Sequence, residues 1–281
     1  MDSQWDDTYQ QTNRANWDDR AVLHSASDDS GYRVGRFADD PSLLSDVVRF
    51  DRGRLGDIRG ARTVHLQCHI GTDTLSLARL GADVVGLDFS GEAVQAARAL
   101  VSRTGDPVEF VQSDVYAATD LLEPGSFDLV YTGVGALCWL PDIDRWAQTV
   151  AALLKPGGRL FIREGHPVLW ALDDSRSDVL AFGYPYFERE EPLIFDGDES
   201  YVETDRPLTA TKTYEWNHGI GEIVTALLRH GMRLTMLIEH DTVPWLALPG
   251  QMVEREEFDE FALIPERPSI PLTYTLQAVK G

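Results

Sequence analysis

The chain has 281 residues, 43% of them hydrophobic, and a formal net charge of −21 at pH 7. This length and apolar content are enough for a full hydrophobic core, and we expect one α/β domain with additions. The negative charge, with no cluster of Lys and Arg in the sequence, disfavours nucleic acid as a partner, because a phosphate backbone would be repelled. Solubility alone is an equally simple explanation of the acidity.

Composition also bears on location and on metal binding. The sequence has no run of about 18 apolar residues, and its first twenty residues are polar where a secretory signal would be apolar. We therefore expect a cytoplasmic protein with no membrane segment. The two cysteines, Cys68 and Cys138, lack the paired spacing of a zinc site and are expected to be reduced. No metal site is predicted, and the oligomeric state stays open.

The pattern of apolar residues divides the chain into segments. Residues 1–60 are polar and predict a loosely helical N-terminal cover. From residue 61 short apolar runs alternate with amphipathic stretches, as in parallel β-α-β units. The predicted strands are Arg62–Gln67, Ala82–Asp88, Val108–Gln112, Phe127–Thr132, Arg159–Arg163, Arg233–His240 and Leu272–Val279. The predicted helices are Thr72–Leu80, Glu92–Arg103, 143–154 and 220–228, with Thr72 and Ser90 as N-caps.

Residues 171–215 interrupt this rhythm with acids, prolines and aromatic residues. A long stretch without β-α alternation favours an inserted cap over another β-α unit. The predicted core domain is therefore 61–170 together with 216–281.

Three residues at strand ends indicate a nucleotide-type site. Such a site needs a tight turn before a helix and a carboxylate at the end of the next strand. Gly71 supplies the turn, and Asp88 follows it at close to the spacing of about 20 residues expected for a ribose-binding acid. Asp114, at the end of the third strand, is the candidate for the adenine edge. Each acid alone is also explained as a helix cap or a solvated turn, but the three in this order favour a nucleotide.

Five sequence stretches together resemble the class I S-adenosylmethionine-dependent methyltransferases, over roughly residues 60–165 and again 219–281. The first, HLQCHIGTDT at 65–74, keeps only the last glycine of the family's Gly-x-Gly-x-Gly turn, with Gln67 and His69 where backbone alone normally approaches the cofactor. It is similar to a bacterial small-molecule sub-group with a Leu-Gln-Cys-His-x-Gly turn. The other stretches are GLDFS at 86–90, QSDV at 112–115, FDLVYT at 127–132 and LLKPGGRL at 153–160.

The resemblance implies a fold, a cofactor and a reaction. The fold would be a Rossmann-like seven-stranded sheet, mostly parallel with its last strand reversed, and the protein would transfer a methyl group from S-adenosylmethionine to a small molecule. Phe89 and Val115 would sandwich the adenine, and Asp88 would hold the ribose. The implied cofactor-binding residues are Gln67, Cys68, His69, Gly71, Thr72, Asp88, Phe89, Ser90, Asp114, Val115, Thr132 and Gly133.

Methyl transfer asks mainly that the acceptor be held in line with the methyl carbon, although an oxygen acceptor also benefits from a base. His166, just past the fifth strand, is the candidate base. Trp17, His24, Trp170 and His218 are the candidate substrate-binding residues. Each histidine is equally explained as a structural hydrogen-bonding residue. The aromatic residues of the cap predict either a pocket for a planar or apolar acceptor or a small satellite core.

Two other functions remain open at this point. A nicotinamide-dependent oxidoreductase would also use an acid after the second strand, but its Gly-x-Gly-x-x-Gly turn is missing from this sequence. A non-catalytic relative, in which Gln67 and His69 prevent cofactor binding and the cap serves a partner protein, has the same sequence pattern. Calorimetry with S-adenosylmethionine and with NAD separates these functions.

Overall fold

The computed structural model describes residues 6–26, 32–198, 200–202, 206–255 and 259–281. The α-helices in chain order are α1 Asp6–Ala26, α2 Val34–Asp39, α3 Asp46–Leu55, α4 Thr72–Arg79, α5 Gly91–Thr104, α6 Ala118–Leu121, α7 Ile143–Leu153, α8 Pro167–Trp170 and α9 Ile220–Arg229. Two short 3-10 helices lie at Val115–Ala117 and Leu137–Trp139. Within these described ranges no helix combines the length and the apolar character needed to cross a membrane.

Seven of the strands form one central sheet. The strands in chain order are β1 Arg62–Leu66, β2 Asp83–Asp88, β3 Glu109–Gln112, β4 Phe127–Thr132, β5 Leu154–Gly165, β6 Leu193–Asp196, β7 Lys212–Glu215, β8 Met232–His240, β9 Thr242–Val243, β10 Met252–Arg255, β11 Glu260–Leu263 and β12 Thr273–Lys280. The central sheet has the order β3-β2-β1-β4-β5-β12-β8.

The direction of the last strand confirms the fold expected from the sequence. Strands β1 to β5 pair in parallel, whereas β12 lies between β5 and β8 and is antiparallel to both. Leu276 of β12, for example, is opposite Ile162 on one side and Leu237 on the other. The chain thus has the predicted α/β sheet, mostly parallel with a reversed last strand.

Alternating side chains along the central strands bury both faces of the sheet. Val130 of β4 packs with α7 and α9 on one face, while its neighbours Leu129 and Tyr131 pack with α3 and α4 on the other, as the two-residue period of a strand requires. Trp146 of α7 is fully buried in the first of these layers. Truncating a buried aromatic residue of this size costs about 3–5 kcal/mol of unfolding free energy.

The helix caps agree with the sequence at one position and differ at another. Ser90 is the N-cap of α5, and its hydroxyl accepts the N–H of Ala93 at 3.0 Å, as predicted. Thr72, predicted to cap α4, is instead the first helical residue and is buried. The N-cap is Gly71, whose φ of 82° lies in the left-handed region, and a Cβ atom at this position would lie 2.8 Å from the side chains of Ala97 in α5 and Phe110 in β3. The turn therefore needs glycine for its backbone and leaves no room for a capping side chain.

Two small sheets lie outside the central one. Strands β6 and β7 pair as an antiparallel ribbon within residues 171–215. Strands β9, β10 and β11 form a three-stranded sheet over residues 242–263, which the sequence analysis did not predict. A buried ion pair between Arg163 and Glu260, 2.6 Å apart, attaches this sheet to the end of β5.

Candidate functional site

A cavity opens at the carboxyl edge of the central sheet, where β1, β2, β3 and β4 end. Parallel strands bring their ends to one edge, which is the usual ligand site of such sheets. The cavity wall combines strand-end residues with residues of the N-terminal segment and of the cap. It is lined by Tyr9, Trp17, Tyr32, Gln67, His69, Leu87, Asp88, Phe89, Ser113, Asp114, Val115, Val134, Gly135, Ala136, Trp139, Leu140 and Tyr201.

Asp88 is the buried carboxylate of this cavity. Its Oδ2 accepts the N–H of His69 at 2.8 Å and its Oδ1 accepts the N–H of Ser90 at 2.9 Å. Burial raises the pKa of Asp88 to about 6 against the lowering effect of these hydrogen bonds. A carboxylate oxygen has more than one acceptor position, so both oxygens can still accept hydroxyl groups from a ligand.

Phe89 and Val115 both line this cavity, just after the ends of β2 and β3. Asp114 lines the cavity beside them but already accepts two hydrogen bonds, from the N–H of Tyr116 at 2.8 Å and from Nε2 of Gln10 at 3.0 Å. An apolar slot with a carboxylate at its rim is the arrangement expected for a planar base.

The turn after β1 holds two non-glycine residues in the left-handed region. The φ angle is 56° at Gln67 and 49° at His69, the two positions at which the sequence analysis expects the missing glycines of the turn. This conformation costs an L-residue roughly 1–2 kcal/mol, so surrounding contacts must hold it. Nε2 of Gln67 donates to the carbonyl of Ala136 at 2.7 Å, and the His69 N–H is held by Asp88. The turn therefore keeps a glycine-like backbone while presenting two side chains.

A chain of hydrogen bonds supports His69 from behind. Nε2 of His69 lies 2.8 Å from Nδ1 of His24, and Nε2 of His24 lies 2.9 Å from Oγ of Ser200. Burial lowers the pKa of His69 to about 3 and that of His24 to about 2, so both imidazoles are neutral near pH 7. His24 is thus a support for His69 rather than a wall residue.

Two polar atoms of the turn have no protein partner. Oε1 of Gln67 and Nδ1 of His69 are buried and make no hydrogen bond. Leaving such an atom unpaired costs about 1–3 kcal/mol. Both belong to residues that line the cavity, which fits a polar ligand group at this end.

Glu164 of β5 organises the opposite rim and was missed by the sequence analysis. Its carboxylate accepts the N–H groups of Ala136 at 2.8 Å and Leu137 at 2.9 Å, and also that of Gly135. Burial nevertheless leaves the pKa of Glu164 raised. The available signal was an acid directly after the apolar run 160–162 and Arg163, because a carboxylate buried at that place must be hydrogen-bonded.

A second cavity lies beside the first and is lined mainly by residues of the cap and of the segments that flank it. Its wall comprises Cys138, Leu169, Trp170, Leu172, Asp174, Tyr184, Leu193, Phe195, Glu215, Trp216, Asn217, Trp245, Ala247 and Leu248. The two cavities share a partition: Tyr9 of the first packs edge-on against Trp216 of the second, with ring centroids 5.2 Å apart. The Leu137–Trp139 turn likewise has Trp139 in the first wall and Cys138 in the second.

Glu215 lines the second cavity and has a pKa that is shifted close to neutral pH. Burial raises its pKa to about 7, against a hydrogen bond that Thr213 donates at 3.0 Å. A carboxyl group of this kind exchanges protons readily at physiological pH. The sequence analysis did not single it out, since a lone Glu at the end of a short strand carries no motif.

The structure brings seven of the predicted residues to the first cavity: Trp17, Gln67, His69, Asp88, Phe89, Asp114 and Val115. Trp170 lines the second cavity and stacks on Trp245. Six predicted cofactor residues lie in the supporting layer and not on the wall, namely Cys68, Gly71, Thr72, Ser90, Thr132 and Gly133. Cys68, for instance, packs against Phe110 and α5.

His166 and His218 lie outside both lining sets. Nδ1 of His166 accepts the N–H of Val168 at 3.1 Å, so its proton is on Nε2, which lies 3.0 Å from Glu239. Both ring nitrogens of His166 are thus engaged outside the two cavities, which favours a structural role over the expected role as a base. Nε2 of His218 donates to the carbonyl of Leu140 at 2.8 Å.

Ten residues of the first wall were not predicted as site residues. Five of them are aromatic residues or a glycine from distant segments: Tyr9, Tyr32, Gly135, Trp139 and Tyr201. The hydroxyls of Tyr32 and Tyr201 are 2.6 Å apart and join the N-terminal segment to the cap. No local motif signals a contact between residues so far apart in the chain.

Comparison with known proteins agrees with this geometry. The family described as a methyltransferase domain matches residues 64–160. A ubiquinone biosynthesis O-methyltransferase of Photorhabdus laumondii is 38% identical over 108 residues, or 38% of this chain and 44% of that protein. Its namesake from Xanthomonas euvesicatoria is 39% identical over 107 residues, with the same two coverages. The chain thus spans less than half the length of the curated relatives it matches.

Solved structures resemble the chain over most of its length. An S-adenosylmethionine-dependent methyltransferase from Mesorhizobium loti has a TM-score of 0.58 at 22% identity, covering 84% of this chain and 98% of that one. The chain has the methyltransferase fold. A geranyl diphosphate C-methyltransferase from Streptomyces coelicolor, solved with S-adenosyl-L-homocysteine, has a TM-score of 0.53 at 12% identity and covers 83% of this chain and 78% of that one. At these identities the likeness concerns the fold, with which the family match over 64–160 agrees.

Proposed function

We propose that this protein is an S-adenosylmethionine-dependent methyltransferase that acts on a small molecule. The observation that carries the proposal is Asp88: a buried carboxylate at the end of β2, facing a cavity between Phe89 and Val115. It lies within the segment that matches the methyltransferase family. The names of the matching relatives and the shared fold support the same activity.

The residues of the first cavity fit the parts of the cofactor. Asp88 would accept the ribose hydroxyls, with the adenine between Phe89 and Val115 and its edge near Asp114. The methionine end would lie against Gln67 and His69, where the unpaired Oε1 of Gln67 can accept from an ammonium group. When bound, S-adenosylmethionine supplies a methyl group activated by the sulfonium.

Neutral imidazoles suit this site. The depressed pKa of His69 and of His24 means that neither adds a positive charge beside a cationic ligand at pH 7. A protonated histidine at about 4 Å would instead oppose binding by roughly 1–4 kcal/mol. The burial of these rings therefore leaves no histidine charge that would repel a cation in the first cavity.

The acceptor would occupy the second cavity. Trp170, Trp216 and Phe195 give it flat apolar walls suited to a planar molecule. Glu215 would take the proton of an acceptor hydroxyl, because its pKa of about 7 lets it act as a base near neutral pH. The O-methyltransferase name of the matching relatives supports an oxygen acceptor. The partition containing Tyr9 and Trp216 would have to move aside for the reacting atoms to meet.

The proposal is tested by incubating the protein with methyl-labelled S-adenosylmethionine and a panel of planar hydroxyl compounds, followed by mass spectrometry. Transfer of the label to a compound, with release of S-adenosylhomocysteine, is the expected result. Binding of the cofactor with no transfer to any planar hydroxyl, amine or carbon acceptor would favour the non-catalytic alternative. Binding of NAD in its place would favour the oxidoreductase.

A further inference from the structure

Two carboxylates and one histidine converge outside both cavities, where the cap meets α9. Glu188 lies in the cap before β6, His218 lies just before α9, and Glu222 is in the first turn of α9. One nitrogen of the histidine and one oxygen of each carboxylate all lie within 4.8 Å of one another. None of the three residues lines either cavity, so this cluster is separate from the proposed methyl-transfer site.

The hydrogen bond of His218 fixes its tautomer. Its Nε2 lies 2.8 Å from the carbonyl oxygen of Leu140, and a carbonyl oxygen only accepts, so the proton is on Nε2. In the neutral ring Nδ1 then carries a lone pair. The side chain is 1% exposed, and Nδ1 is buried with no hydrogen-bond partner. This lone pair faces Glu188 and Glu222, both of which are acceptors. Three acceptors around one point repel each other unless a cation lies between them.

The distances leave room for a metal ion between the three side chains. Nδ1 of His218 is 3.4 Å from Oε1 of Glu188 and 4.0 Å from Oε2 of Glu222. An N–H donating to a carboxylate would bring the two atoms to about 2.7–3.2 Å. Two ligand atoms each about 2.0–2.2 Å from a tetrahedral metal ion are instead about 3.4 Å apart. The 3.4 Å between His218 and Glu188 matches the separation of two ligands of one metal ion. The 4.0 Å between His218 and Glu222 is wider, so the Glu222 side chain would move closer when an ion binds.

We propose that Glu188, His218 and Glu222 bind one divalent metal ion of the zinc type, with water in the remaining position. One imidazole and two carboxylates form a ligand set that suits Zn²⁺ and Co²⁺. The Leu140 carbonyl acts as the outer hydrogen-bond partner that orients a metal-binding imidazole. The carboxylates are partly exposed, Glu188 at 22% and Glu222 at 33%, which gives an ion access from solvent.

Such an ion would attach the cap to α9. Glu188 belongs to residues 171–215, whereas His218 and Glu222 follow the strand that ends that segment. The neighbouring Trp216 and Asn217 line the second cavity. Metal binding would therefore fix the position of that cavity's wall without touching a ligand inside it.

The test is a titration of the untagged, metal-free protein with Co²⁺, followed by visible absorption, and with Zn²⁺, followed by calorimetry. One ion per chain is expected, with the visible spectrum of cobalt in a low-coordinate nitrogen and oxygen site. Glu188→Gln and Glu222→Gln should each weaken binding at least tenfold, since each removes a charged ligand but keeps the side-chain shape. Both residues are partly exposed, so these variants should fold, which circular dichroism checks.

Two matched controls should bind the ions as the unchanged protein does. Glu191→Gln makes the same charge change at an exposed position of the same cap segment. His230→Asn removes a histidine that lies 3.2 Å from Asp144 elsewhere on the surface. Absence of saturable binding, or equal binding by the Glu188→Gln variant, would overturn the proposal. So would nitrogen NMR in which the Nδ1 signal of His218 does not respond to either metal.

Discussion

At the scale of single residues, the proposed chemistry depends on Glu215, the group of the second cavity that we propose as the base. Its raised pKa of about 7 means that the carboxylate, the form that acts as a base, predominates only above that pH. The value of kcat/KM for a hydroxyl acceptor should therefore fall about tenfold per pH unit below 7 and level off above it.

The Glu215→Gln variant isolates this effect. It should lower kcat at least about 100-fold and abolish the dependence on pH near 7, because the amide cannot take a proton. Glu254→Gln, on an exposed position of β10, is the control and should leave kcat unchanged. A Glu215→Gln variant with full activity and an unaltered pH profile would remove Glu215 from the mechanism.

His166 is expected to matter for stability and not for the chemical step. Asn at this position keeps the N-cap of α8 but loses the contact with Glu239. His166→Asn should lower the free energy of unfolding by about 1 kcal/mol, which for a chain of this length lowers Tm by a few degrees. It should also leave kcat within about threefold of the unchanged protein. A loss of kcat above about 100-fold at an unchanged Tm would restore His166 as the base.

At the scale of elements, β6 allows a clean test of the acceptor cavity, because its alternate residues face opposite ways. Phe195 lines the second cavity, whereas its neighbour Ile194 is 57% exposed. Phe195→Ala should raise KM for the acceptor about tenfold, which corresponds to about 1.4 kcal/mol, and Ile194→Ala should not change it. Equal effects of the two substitutions would move the acceptor out of this cavity.

The N-terminal helix and the cap should act together as a cover. Trp17 of α1 and Tyr201 of the cap both line the first cavity, and His24 lies 2.9 Å from Ser200. Hydrogen exchange in α1 and in residues 200–202 should slow when S-adenosylmethionine or its demethylated product binds. The exposed β10 serves as an internal control and should not change. If hydrogen exchange slows in neither segment when the ligand binds, α1 and the cap do not cover the cofactor.

The sequence predicts the elements of the central sheet well and the small sheets poorly. Buried parallel strands such as Phe127–Thr132 are continuous apolar runs with clear ends, and the structure gives that strand the same bounds. Strand β5 begins at Leu154 instead of Arg159, because Leu154 pairs with Phe127 ahead of an irregularity in the ladder. Short strands such as β10, with one buried residue in four, have no pattern that differs from a loop.

The candidate site was likewise predictable where it is local in sequence. Asp88, Phe89, Asp114 and Val115 are found from motifs at strand ends, and all line the first cavity. The left-handed backbone of Gln67 follows from its place in a turn that resembles one with glycine. The aromatic cover and the environments of Glu164 and Glu215 depend on contacts between distant segments, which composition and periodicity do not encode.

At the scale of the whole molecule, the fold and the charge agree with one kind of ligand. The cavity at the carboxyl edge of the sheet is the position where such folds bind nucleotides. A net charge of −21 favours a cationic cofactor over a polyanion. We therefore propose that S-adenosylmethionine binds in the first cavity with Asp88 on its ribose.

Calorimetric titration with S-adenosylmethionine tests this claim most directly, comparing the unchanged protein with Asp88→Ala and with Asp83→Ala at the exposed start of the same strand. One molecule should bind per chain, and Asp88→Ala should weaken binding at least tenfold, since hydrogen bonds to a charged group contribute about 1.5–3 kcal/mol. Asp83→Ala should bind normally. If Asp88→Ala fails to fold, Phe89→Ala should weaken binding in its place. An unchanged protein that does not bind S-adenosylmethionine, or a folded Asp88→Ala variant that binds it with full affinity, would contradict the account.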